Sequence, residues 1–543
     1  MNNSGFNFVG TIGYDNPDSL CPVPDYFVPS SSFYKNDTID LILHDENFRN
    51  NSVTKLSGSI QIPTEVYDEW GLIDENPEKW ANFEKLHVYL EQTFPLFHKN
   101  LKKEKIYSGL IYTWEGSDSN LKPLLLMAHQ DVVPVQIETI KDWTHEPFSG
   151  YYDGEFVWGR GTSDCKNLLI ALMETIEELI KVDFAPKRTI ILSFGADEES
   201  AGRSAFLLAK KLEERYGQNS MYAIIDEGTG FTESNGKIFA MPAVAEKGYL
   251  DAVISLTTPG GHSSIPPDHT SIGIVSELIQ LAESNPFAPL LTNVNPILGF
   301  LQCVAEHCPS IDKSLKKNIL KAHLDIDANQ KVIEYLEKKS LASKYLITTS
   351  QAVDVIQGGA KSNALPEHVS VLINYRIAVE STYLEVAENV TGHLKQVADK
   401  YNLGIVREGE ELLKPSGNGY FNFTYNDPLE AAPITPTNDK AWEVLSGTLR
   451  HFYEKMVYPT RFENDDYLIV APAMSTGNTD TKSYWKLSDN IYRFTPESWK
   501  EYDSHAHSVD EKIDFESHLQ IIAFFYEYIL NVDGIKDEVN VVI

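Results

Sequence analysis

Apolar positions in the first half of the chain follow two alternating patterns. Nearly uninterrupted apolar runs, such as LIYTW (110–114) and LLLMAH (124–129), are typical of strands buried on both faces of a sheet. Residues 78–94 carry apolar residues three or four positions apart, which predicts a helix. Because runs and helical segments alternate, the pattern predicts an α/β domain with a mainly parallel sheet. Further strands are predicted at 188–196 and 222–226, and further helices at 168–180 and 204–216.

The pattern changes after Lys247. Residues 249–259 and 369–377 alternate apolar and polar positions, as strands with one buried face do. Residues 402–409 are predicted as the last strand of this unit. Helices are predicted at 270–285, 312–338 and 381–401. The order of these elements predicts a small antiparallel sheet with helices on one face.

After residue 435 the α/β pattern returns. It gives a helix at 439–453, a strand at 468–475 and a closing helix at 515–530. The chain is therefore predicted to contain one α/β domain that is interrupted by a smaller inserted domain. The predicted boundaries are an N-terminal arm (1–60), the first part of the α/β domain (61–248), the inserted domain (249–424) and the second part (425–543). The polar arm is predicted to be extended, with one helix near 40–48.

The charge of the chain restricts its partners. Lys and Arg total 46 and Asp and Glu total 78, which gives a net charge of −32 over 543 residues. Such a surface repels phosphate backbones and anionic membranes, so nucleic acid is not expected as a partner. The first residues lack the features of a signal peptide, and no stretch reaches the roughly 18 apolar residues that span a bilayer. Weak evidence for the secretory route comes from five Asn-x-Ser/Thr sequons, at Asn2, Asn36, Asn50, Asn389 and Asn422.

The four cysteines form neither a zinc-ribbon spacing nor a dense disulfide framework. They are Cys21, Cys165, Cys303 and Cys308. Two interpretations of Cys303 and Cys308 stay open, namely a local bridge and two reduced cysteines on one helix.

Acidic and imidazole side chains collect where the predicted strands end. In open α/β sheets, functional sites form beyond the carboxyl ends of the strands. Several carboxylates at such an edge repel one another, and one or two divalent cations would relieve that repulsion. The residues concerned are His129 and Asp131, Asp164 in WGRGTSDCKN, Asp197-Glu198-Glu199, Asp226-Glu227 and the late segment HAHSVDE at 505–511.

These motifs resemble the aminoacylase/carboxypeptidase family of di-zinc peptidases. The resemblance rests on H-x-D, G-R-G-x-x-D, a Glu-Glu pair, D-E-G, G-G-H and H-S-x-D-E in this order, and it covers about residues 60–530. The residues within these motifs are most similar to those of the fungal vacuolar carboxypeptidase S branch, the Gly-Xaa carboxypeptidases. The resemblance implies a zinc-dependent exopeptidase-like α/β catalytic domain with an inserted ferredoxin-like α+β lid or dimerisation domain, built from four strands and two helices.

The resemblance also implies a set of metal ligands for two zinc ions per chain. His129 would bind one zinc, Asp164 would bridge both ions, and Glu199 and His507 would bind the other zinc. Asp226 is predicted as the remaining ligand, with Glu227 as the alternative, and His507 is preferred to the nearby His505. Asp131 would orient the His129 imidazole, and Glu198 would act as general base.

The inserted domain is expected to contribute substrate-binding groups. His262 in PGGHSS would polarise the scissile carbonyl, and Asn363 in KSNALP and Arg376 in INYRI would hold the carbonyl and the terminal carboxylate of the substrate. Arginine suits this role because its planar fork matches a carboxylate. Gly477 belongs to a glycine-rich substrate loop, which departs from the common Gly-Gly-Thr-Asp form by carrying Asn478. The alternatives are an exposed strand arginine at 376 and a purely structural Gly260-Gly261 turn.

The implied function is that of a zinc metallo-carboxypeptidase. It would hydrolyse short peptides with a free C-terminal carboxylate, above all Gly-Xaa dipeptides, by a zinc-activated water with Glu198 as general base. The alternatives are an N-acyl amino acid amidohydrolase and a catalytically inactive metal-binding scaffold, for which Glu198 would be superfluous. A Cys165 nucleophile is disfavoured, because a thiolate beside so many carboxylates is unstable.

The resemblance extends to partners and location. The expected partner is a small peptide or N-acyl amino acid substrate. The resemblance leaves two assemblies open, namely a homodimer through the lid and a single chain. The vacuole lumen is the expected location, with the cytoplasm as alternative.

Overall fold

The computed structural model describes residues 19–71, 73, 75–463, 466–500 and 502–536. Two sheets organise this part of the chain, one of eight strands and one of six. The first 18 residues of the predicted arm and the Asn2 sequon lie outside the described residues. The helices are Asn36–His44, Glu46–Ile60, Ala81–Thr93, Pro95–Asn100, Lys166–Lys181, Arg203–Tyr216, Ser271–Ser284, Pro296–His307, Lys313–Lys321, Ile326–Lys339, Leu341–Tyr345, Tyr383–Tyr401, Lys440–His451 and Phe515–Asp533.

The larger sheet has a parallel centre and antiparallel additions. Its four central strands run parallel, and the apolar runs Leu124–His129 and Ile190–Gly195 among them are buried on both faces, as predicted. In spatial order the strands are Lys102–Ile106, Gly109–Trp114, Ile190–Gly195, Leu124–His129, Ala223–Thr229, Ile491–Phe494, Ala243–Glu246 and Ala473–Ser475.

Helices cover both faces of this sheet. Helix Lys166–Lys181, buried over nearly its whole length, packs with Phe515–Asp533 and Lys440–His451 in the main core. Helix Arg203–Tyr216 covers the opposite face through Ala205, Leu208 and Leu212. The result is the three-layer α/β arrangement that the sequence pattern predicts.

The prediction of an extended arm with a single helix is wrong for residues 36–60. These residues form two helices, which separate at Asp45, whose side chain accepts a hydrogen bond from the Phe48 main-chain N–H at 2.8 Å. Their few apolar residues, including Ile39 and Leu56, are buried in the main core. The many polar residues between them hide this amphipathic pattern in the sequence.

The smaller sheet confirms the ferredoxin-like insertion and enlarges it. Its first four strands in spatial order are antiparallel, and helices Ser271–Ser284 and Tyr383–Tyr401 share one core with them. Residues 404–407 are not the last strand, because two more follow and give six strands instead of four. In spatial order the strands are Ser350–Gly358, His368–Ile377, Gly248–Thr257, Tyr420–Tyr425, Gly404–Arg407 and Glu410–Leu413.

A helical segment, residues 296–345, lies between these strands in sequence but packs against the larger sheet. Its buried apolar side chains meet Ala245 and Met474, which belong to the last two strands of that sheet. The predicted helix 312–338 is two helices, because Asp325 caps the second by accepting the Ala328 N–H at 3.1 Å.

The cysteines do not pair as either interpretation of the sequence expects. A disulfide joins Cys21 to Cys303, while Cys165 and Cys308 are free and buried, so neither interpretation of Cys303 and Cys308 holds. Among the described helices, none combines the length and apolarity that a bilayer crossing requires.

Short strands and turns complete the fold. The short strands are Tyr151–Tyr152, Phe156–Trp158, Phe231–Ser234, Lys237–Ala240, Gly261–His262, Ala364–Leu365, Ile469–Val470 and Lys512–Asp514. The 3-10 turns lie at Asp68–Trp70, Pro77–Trp80, Ile137–Asp142 and Asp480–Ser483, and a π-helical turn lies at Phe452–Val457.

Candidate metal centre and substrate site

His129 ends a central strand of the larger sheet with its imidazole buried. Its Nδ1 lies 3.0 Å from the main-chain oxygen of Asp131 and 3.4 Å from the Asp131 carboxylate. A carbonyl oxygen can only accept, so Nδ1 carries a proton, and Nε2 faces the Asp164 and Glu227 carboxylates, where it would be free to bind a metal ion. The Asp131 carboxylate, predicted to hold the imidazole, accepts the Glu199 main-chain N–H at 2.9 Å. Asp131 therefore orients His129 mainly through its carbonyl.

The Asp164 carboxylate lies between two histidines. Its Oδ1 is 3.0 Å from His129 Nε2, and its Oδ2 is 3.0 Å from His507 Nε2. His507 Nε2 also lies 3.0 Å from Glu199 Oε1. The structure thus brings together four of the predicted ligands, from two strand ends, the turn before helix Lys166–Lys181 and the late HAHSVDE segment.

Two groups of donor atoms share Asp164. One contains His129, Asp164 and Glu227 together with Cys165, and the other contains Asp164, Glu199 and His507. Within each group the donor atoms lie within 4.8 Å of one another. The first group is largely buried, whereas the His507 side chain is 52% exposed, so the second group faces solvent. Glu198 joins His129 and Glu199 in a third group, which has three residues.

Of the two predicted alternatives, Asp226 and Glu227, the geometry favours Glu227. Glu227 Oε1 lies 3.3 Å from His129 Nε2. Asp226 belongs to none of the three donor groups, and the register of its strand shifts directly after its pair with Arg493. Glu227 is therefore the residue of this pair that reaches the cluster.

Glu511 holds the loop that carries Asp164. Its Oε1 accepts main-chain N–H groups of Gly161, Ser163 and Asp164 at 2.9, 3.0 and 3.2 Å, and its Oε2 accepts from Arg160 Nη1 at 2.5 Å. Glu511 is fully buried. Glu511 is the last residue of the H-S-x-D-E motif, and it is a functional residue to which the sequence analysis assigns no role.

The electrostatics of the cluster fit a divalent cation. Burial, together with neighbouring carboxylates, raises the pKa values of Glu198, Glu199 and Glu227 above their usual range. Hydrogen bonds to Asp164 and Glu199 raise the pKa of His507 to about 10. Without a cation, these three carboxylates bind a proton more readily than they would in water, whereas hydrogen bonds to His129 and His507 lower the pKa of Asp164. Histidine and carboxylate donors at this spacing suit zinc, whose charge would oppose that effect.

Cys165 offers no alternative nucleophile. Its sulfur accepts the His129 main-chain N–H at 3.3 Å, and burial raises the pKa of the thiol well above its usual range. A buried neutral thiol is inert. His505 also lies apart from the cluster, and its Nε2 is 3.7 Å from Asp503.

His262 and Asn363 come together in the smaller domain. The short strands Gly261–His262 and Ala364–Leu365 pair, and the Ser263 N–H donates to the Asn363 main-chain oxygen at 3.3 Å. His262 is exposed, and its Nδ1 accepts from the Ser264 hydroxyl at 2.7 Å. In the described part of the chain, no hydrogen bond or ion pair joins these two side chains to the metal-ligand cluster.

Arg376 meets the glycine-rich loop. It lies on strand His368–Ile377, and its Nη1 donates to Asn478 Oδ1 at 3.2 Å. The Gly477 N–H donates to Ser475 Oγ at 3.1 Å. The structure therefore places Arg376 beside the loop that the sequence analysis associates with the substrate carboxylate.

Known proteins show the same fold and close sequence similarity. The chain is 48% identical to carboxypeptidase S of Saccharomyces cerevisiae over 513 residues, which are 93% of this chain and 88% of that protein. It is 31% identical to the human N-fatty-acyl-amino acid synthase/hydrolase PM20D1, over 89% of this chain and 88% of that protein. The crystal structure of an M20 family metallo-carboxypeptidase from Sulfolobus solfataricus superposes with a TM-score of 0.58 at 16% identity, covering 89% of this chain and 99% of that one.

The sequence profile described as Peptidase family M20/M25/M40 matches residues 125–531. This range includes every residue of the candidate metal centre. The chain therefore belongs to peptidase family M20/M25/M40 and is a metal-dependent hydrolase of the peptidase type.

Proposed function

We propose that this protein is a di-zinc carboxypeptidase that removes the C-terminal residue of short peptides, above all Gly-Xaa dipeptides. The observation that carries the proposal is the Asp164 carboxylate, whose two oxygens each lie 3.0 Å from a different histidine. A carboxylate in this position is suited to be shared by two ions. The 48% identity to carboxypeptidase S over nearly the whole chain supports the same activity.

Two zinc ions would be held by the two donor groups. His129, Asp164 and Glu227 would bind one ion, and Asp164, Glu199 and His507 would bind the other. When bound, zinc supplies Lewis-acid chemistry that polarises a carbonyl and lowers the pKa of a water.

Glu198 is the proposed general base. It neighbours His129 and Glu199 yet is not needed for either three-residue donor group. In this position its carboxylate can accept a proton from the attacking water and return it to the leaving nitrogen. Burial raises its pKa, which favours a group that holds a proton between these two steps.

The smaller domain would supply the substrate contacts. Arg376 would bind the C-terminal carboxylate, together with the loop at Gly477. His262 and Asn363 would bind the scissile carbonyl once the exposed loop that carries them lies over the metal centre. A donor aimed at the developing oxyanion stabilises the transition state more than the substrate.

The test of the proposed function uses zinc-loaded protein and a substrate panel. Gly-Xaa dipeptides, the same dipeptides as C-terminal amides, and N-acyl amino acids are compared, each with a chelator control. We expect chelator-sensitive hydrolysis of the free acids and little hydrolysis of the amides. Glu198→Ala should keep its zinc and lose at least about a hundredfold in kcat. Near-normal hydrolysis by that variant would sink the mechanism, and an inactive zinc-bound wild type would favour the scaffold alternative.

A second candidate, hydrolysis of N-acyl amino acids, has its own support. The human relative at 31% identity is named an N-fatty-acyl-amino acid synthase/hydrolase. Such substrates also end in a free carboxylate, so Arg376 would serve both. The substrate panel distinguishes the two candidate functions. An N-acyl amino acid hydrolase would show a higher kcat/KM for an N-acyl amino acid than for a Gly-Xaa dipeptide.

Domain boundaries and assembly follow as further proposals. We assign the catalytic unit to 61–248 and 425–543 and the inserted segment to 249–424, of which the smaller sheet and its two helices form the lid, whereas helices 296–345 pack on the catalytic unit. Strand Ser350–Gly358 forms an edge of the smaller sheet and exposes Val355 and Ile356, which suits a homodimer through the lid. Light scattering of the purified protein measures its molecular mass, which distinguishes a homodimer from a monomer.

The vacuole lumen is the proposed location, rather than the cytoplasm. The Cys21–Cys303 disulfide favours an oxidising route. The sequons at Asn36, Asn50 and Asn389 are exposed, so each is accessible for glycosylation. A shift in electrophoretic mobility after glycosidase treatment would support the secretory route.

A further inference from the structure

We propose that Asn478 is a positioning residue that fixes the Arg376 guanidinium for the substrate carboxylate and thereby sets the preference for a free C-terminus. This inference rests on the proposed carboxypeptidase function and deepens it. Arg376 belongs to the smaller sheet, whereas Asn478 follows the edge strand Ala473–Ser475 of the larger sheet. Their contact therefore joins the inserted domain to the catalytic domain at the substrate.

The Asn478 amide uses both of its ends. Its Oδ1 accepts from Arg376 Nη1 at 3.2 Å, and its Nδ2 donates to the Lys247 main-chain oxygen at 2.7 Å. Among side chains of this length, only an amide can accept and donate in this way. The Lys247 carbonyl thus orients the amide so that its oxygen faces the guanidinium.

Lys247 is a firm anchor for this contact. Its main-chain N–H donates to the Ser475 oxygen at 3.1 Å, which ties it to the start of the loop. Its buried ammonium donates to the main-chain oxygens of Tyr345 and Thr348 at 3.0 and 2.7 Å. Since Lys247 immediately precedes the first strand of the smaller sheet, the amide is held at the junction of the two sheets.

Arg376 itself lacks an acidic partner. Its guanidinium carbon lies 5.3 Å from the centre of the Tyr249 ring, and no Asp or Glu oxygen lies within 4.0 Å of it among the residues described. Arginine has five N–H donors, of which the contact with Asn478 uses one. In a chain of net charge −32, an arginine kept free of carboxylates is suited to receive one from a ligand.

The Asn478 side chain carries no charge, and this leaves the charge of Arg376 available to the substrate. An aspartate there would also reach Arg376, but it would neutralise the guanidinium and compete with the substrate carboxylate. It would also turn an oxygen towards the Lys247 carbonyl, which offers no donor. Asparagine orients the arginine and leaves its charge available.

The experiment compares wild type, Asn478→Ala and Asn478→Asp on one Gly-Xaa dipeptide as free acid and as C-terminal amide. We expect Asn478→Ala to raise KM for the free acid about tenfold, with kcat within about twofold and the amide rate unchanged. Asn478→Asp should raise KM further, because it adds the competing charge. Asn120→Ala, an exposed asparagine far along the chain, serves as the control and should match wild type in every parameter.

Zinc content and the thermal midpoint show whether a variant is still folded and metal-bound. Both should stay at wild-type values in the two Asn478 variants, so that a change in KM reports the orientation of Arg376. An unchanged KM in both variants, or equal losses on acid and amide, would overturn the inference while leaving the proposed function intact. A wild type that does not prefer the free acid over the amide would overturn the proposed function and, with it, this inference. If Asn478→Ala does not fold, the Asn478→Asp comparison decides alone.

Discussion

The two halves of the candidate site differ in how far they are built before substrate arrives. At the edge of the larger sheet, His129 is 1% exposed and lies between three carboxylate residues at 3.0 to 3.4 Å. In the smaller domain, His262 lies on an exposed two-residue strand and contacts the hydroxyl of its neighbour Ser264. The metal half is preformed, whereas in the substrate half Arg376 makes a single hydrogen bond to Asn478 of the loop that follows the larger sheet.

This difference has a physical cause. Buried carboxylates repel one another and lose hydration, so their positions must be enforced by the fold, as Glu511 enforces that of Asp164. Substrate contacts must instead open for entry and product release, which favours loops over strand ends. We therefore expect changes in the first half to alter metal content, and changes in the second half to alter catalysis alone.

The largest effect is expected from Asp164→Asn. This change removes the charge that faces both histidines and turns an amide N–H toward one of them. Loss of a shared metal ligand should lower the bound zinc and reduce kcat/KM by about a thousandfold or more. Metal analysis after dialysis, together with steady-state kinetics, measures both. Asp142→Asn, an exposed carboxylate outside the site, is the matched control. If Asp164→Asn keeps its full zinc content and a near-normal rate, the expectation that changes in the metal half alter metal content is wrong.

His262→Ala should give a smaller loss without loss of metal. Removal of one donor to a developing oxyanion lowers kcat by about a hundredfold to a thousandfold. Zinc content and the thermal midpoint should equal those of wild type, because His262 contacts no metal ligand in the described structure. His368→Ala, another exposed histidine of the smaller domain, is the control. Loss of zinc from His262→Ala would mean that this loop is part of the metal half.

Much of the metal half could be predicted from the sequence. Parallel strands buried on both faces appear as uninterrupted apolar runs, so the ends of LLLMAH and IILSFGA were identified directly. The motif order then gave His129, Asp164, Glu199 and His507, which the structure brings together. The alternating burial of strand Gly248–Thr257 likewise matched its predicted pattern.

The remaining features depend on information that a local pattern does not contain. Whether Asp226 or Glu227 faces the cluster depends on strand register, because a shift of one residue exchanges the two faces. Cys21 pairs with a cysteine 282 positions away, and spacing alone does not specify such a partner. The helices of residues 296–345 lie between strands of the smaller sheet in sequence but pack on the larger sheet, and a local pattern does not specify this tertiary contact.

The smallest effect is expected from Glu511→Gln, which tests how the metal half is built. Glutamine keeps the size of the side chain, but only its carbonyl oxygen can accept. Oε1 of Glu511 now receives three main-chain N–H groups, and Oε2 receives Arg160, so one of these sets loses its acceptor. The Asp164 loop should loosen without losing a ligand.

Partners that orient metal ligands typically contribute ten- to a hundredfold to affinity, and we expect zinc affinity to fall by about that factor. Titration of zinc against a competing chelator measures it. Excess zinc should restore most of the activity, which Asp164→Asn would not allow. Glu214→Gln, on the exposed face of helix Arg203–Tyr216, is the control. If zinc affinity stays within twofold of wild type while activity falls, Glu511 acts on the substrate side, and the two halves are less separate than their contacts indicate.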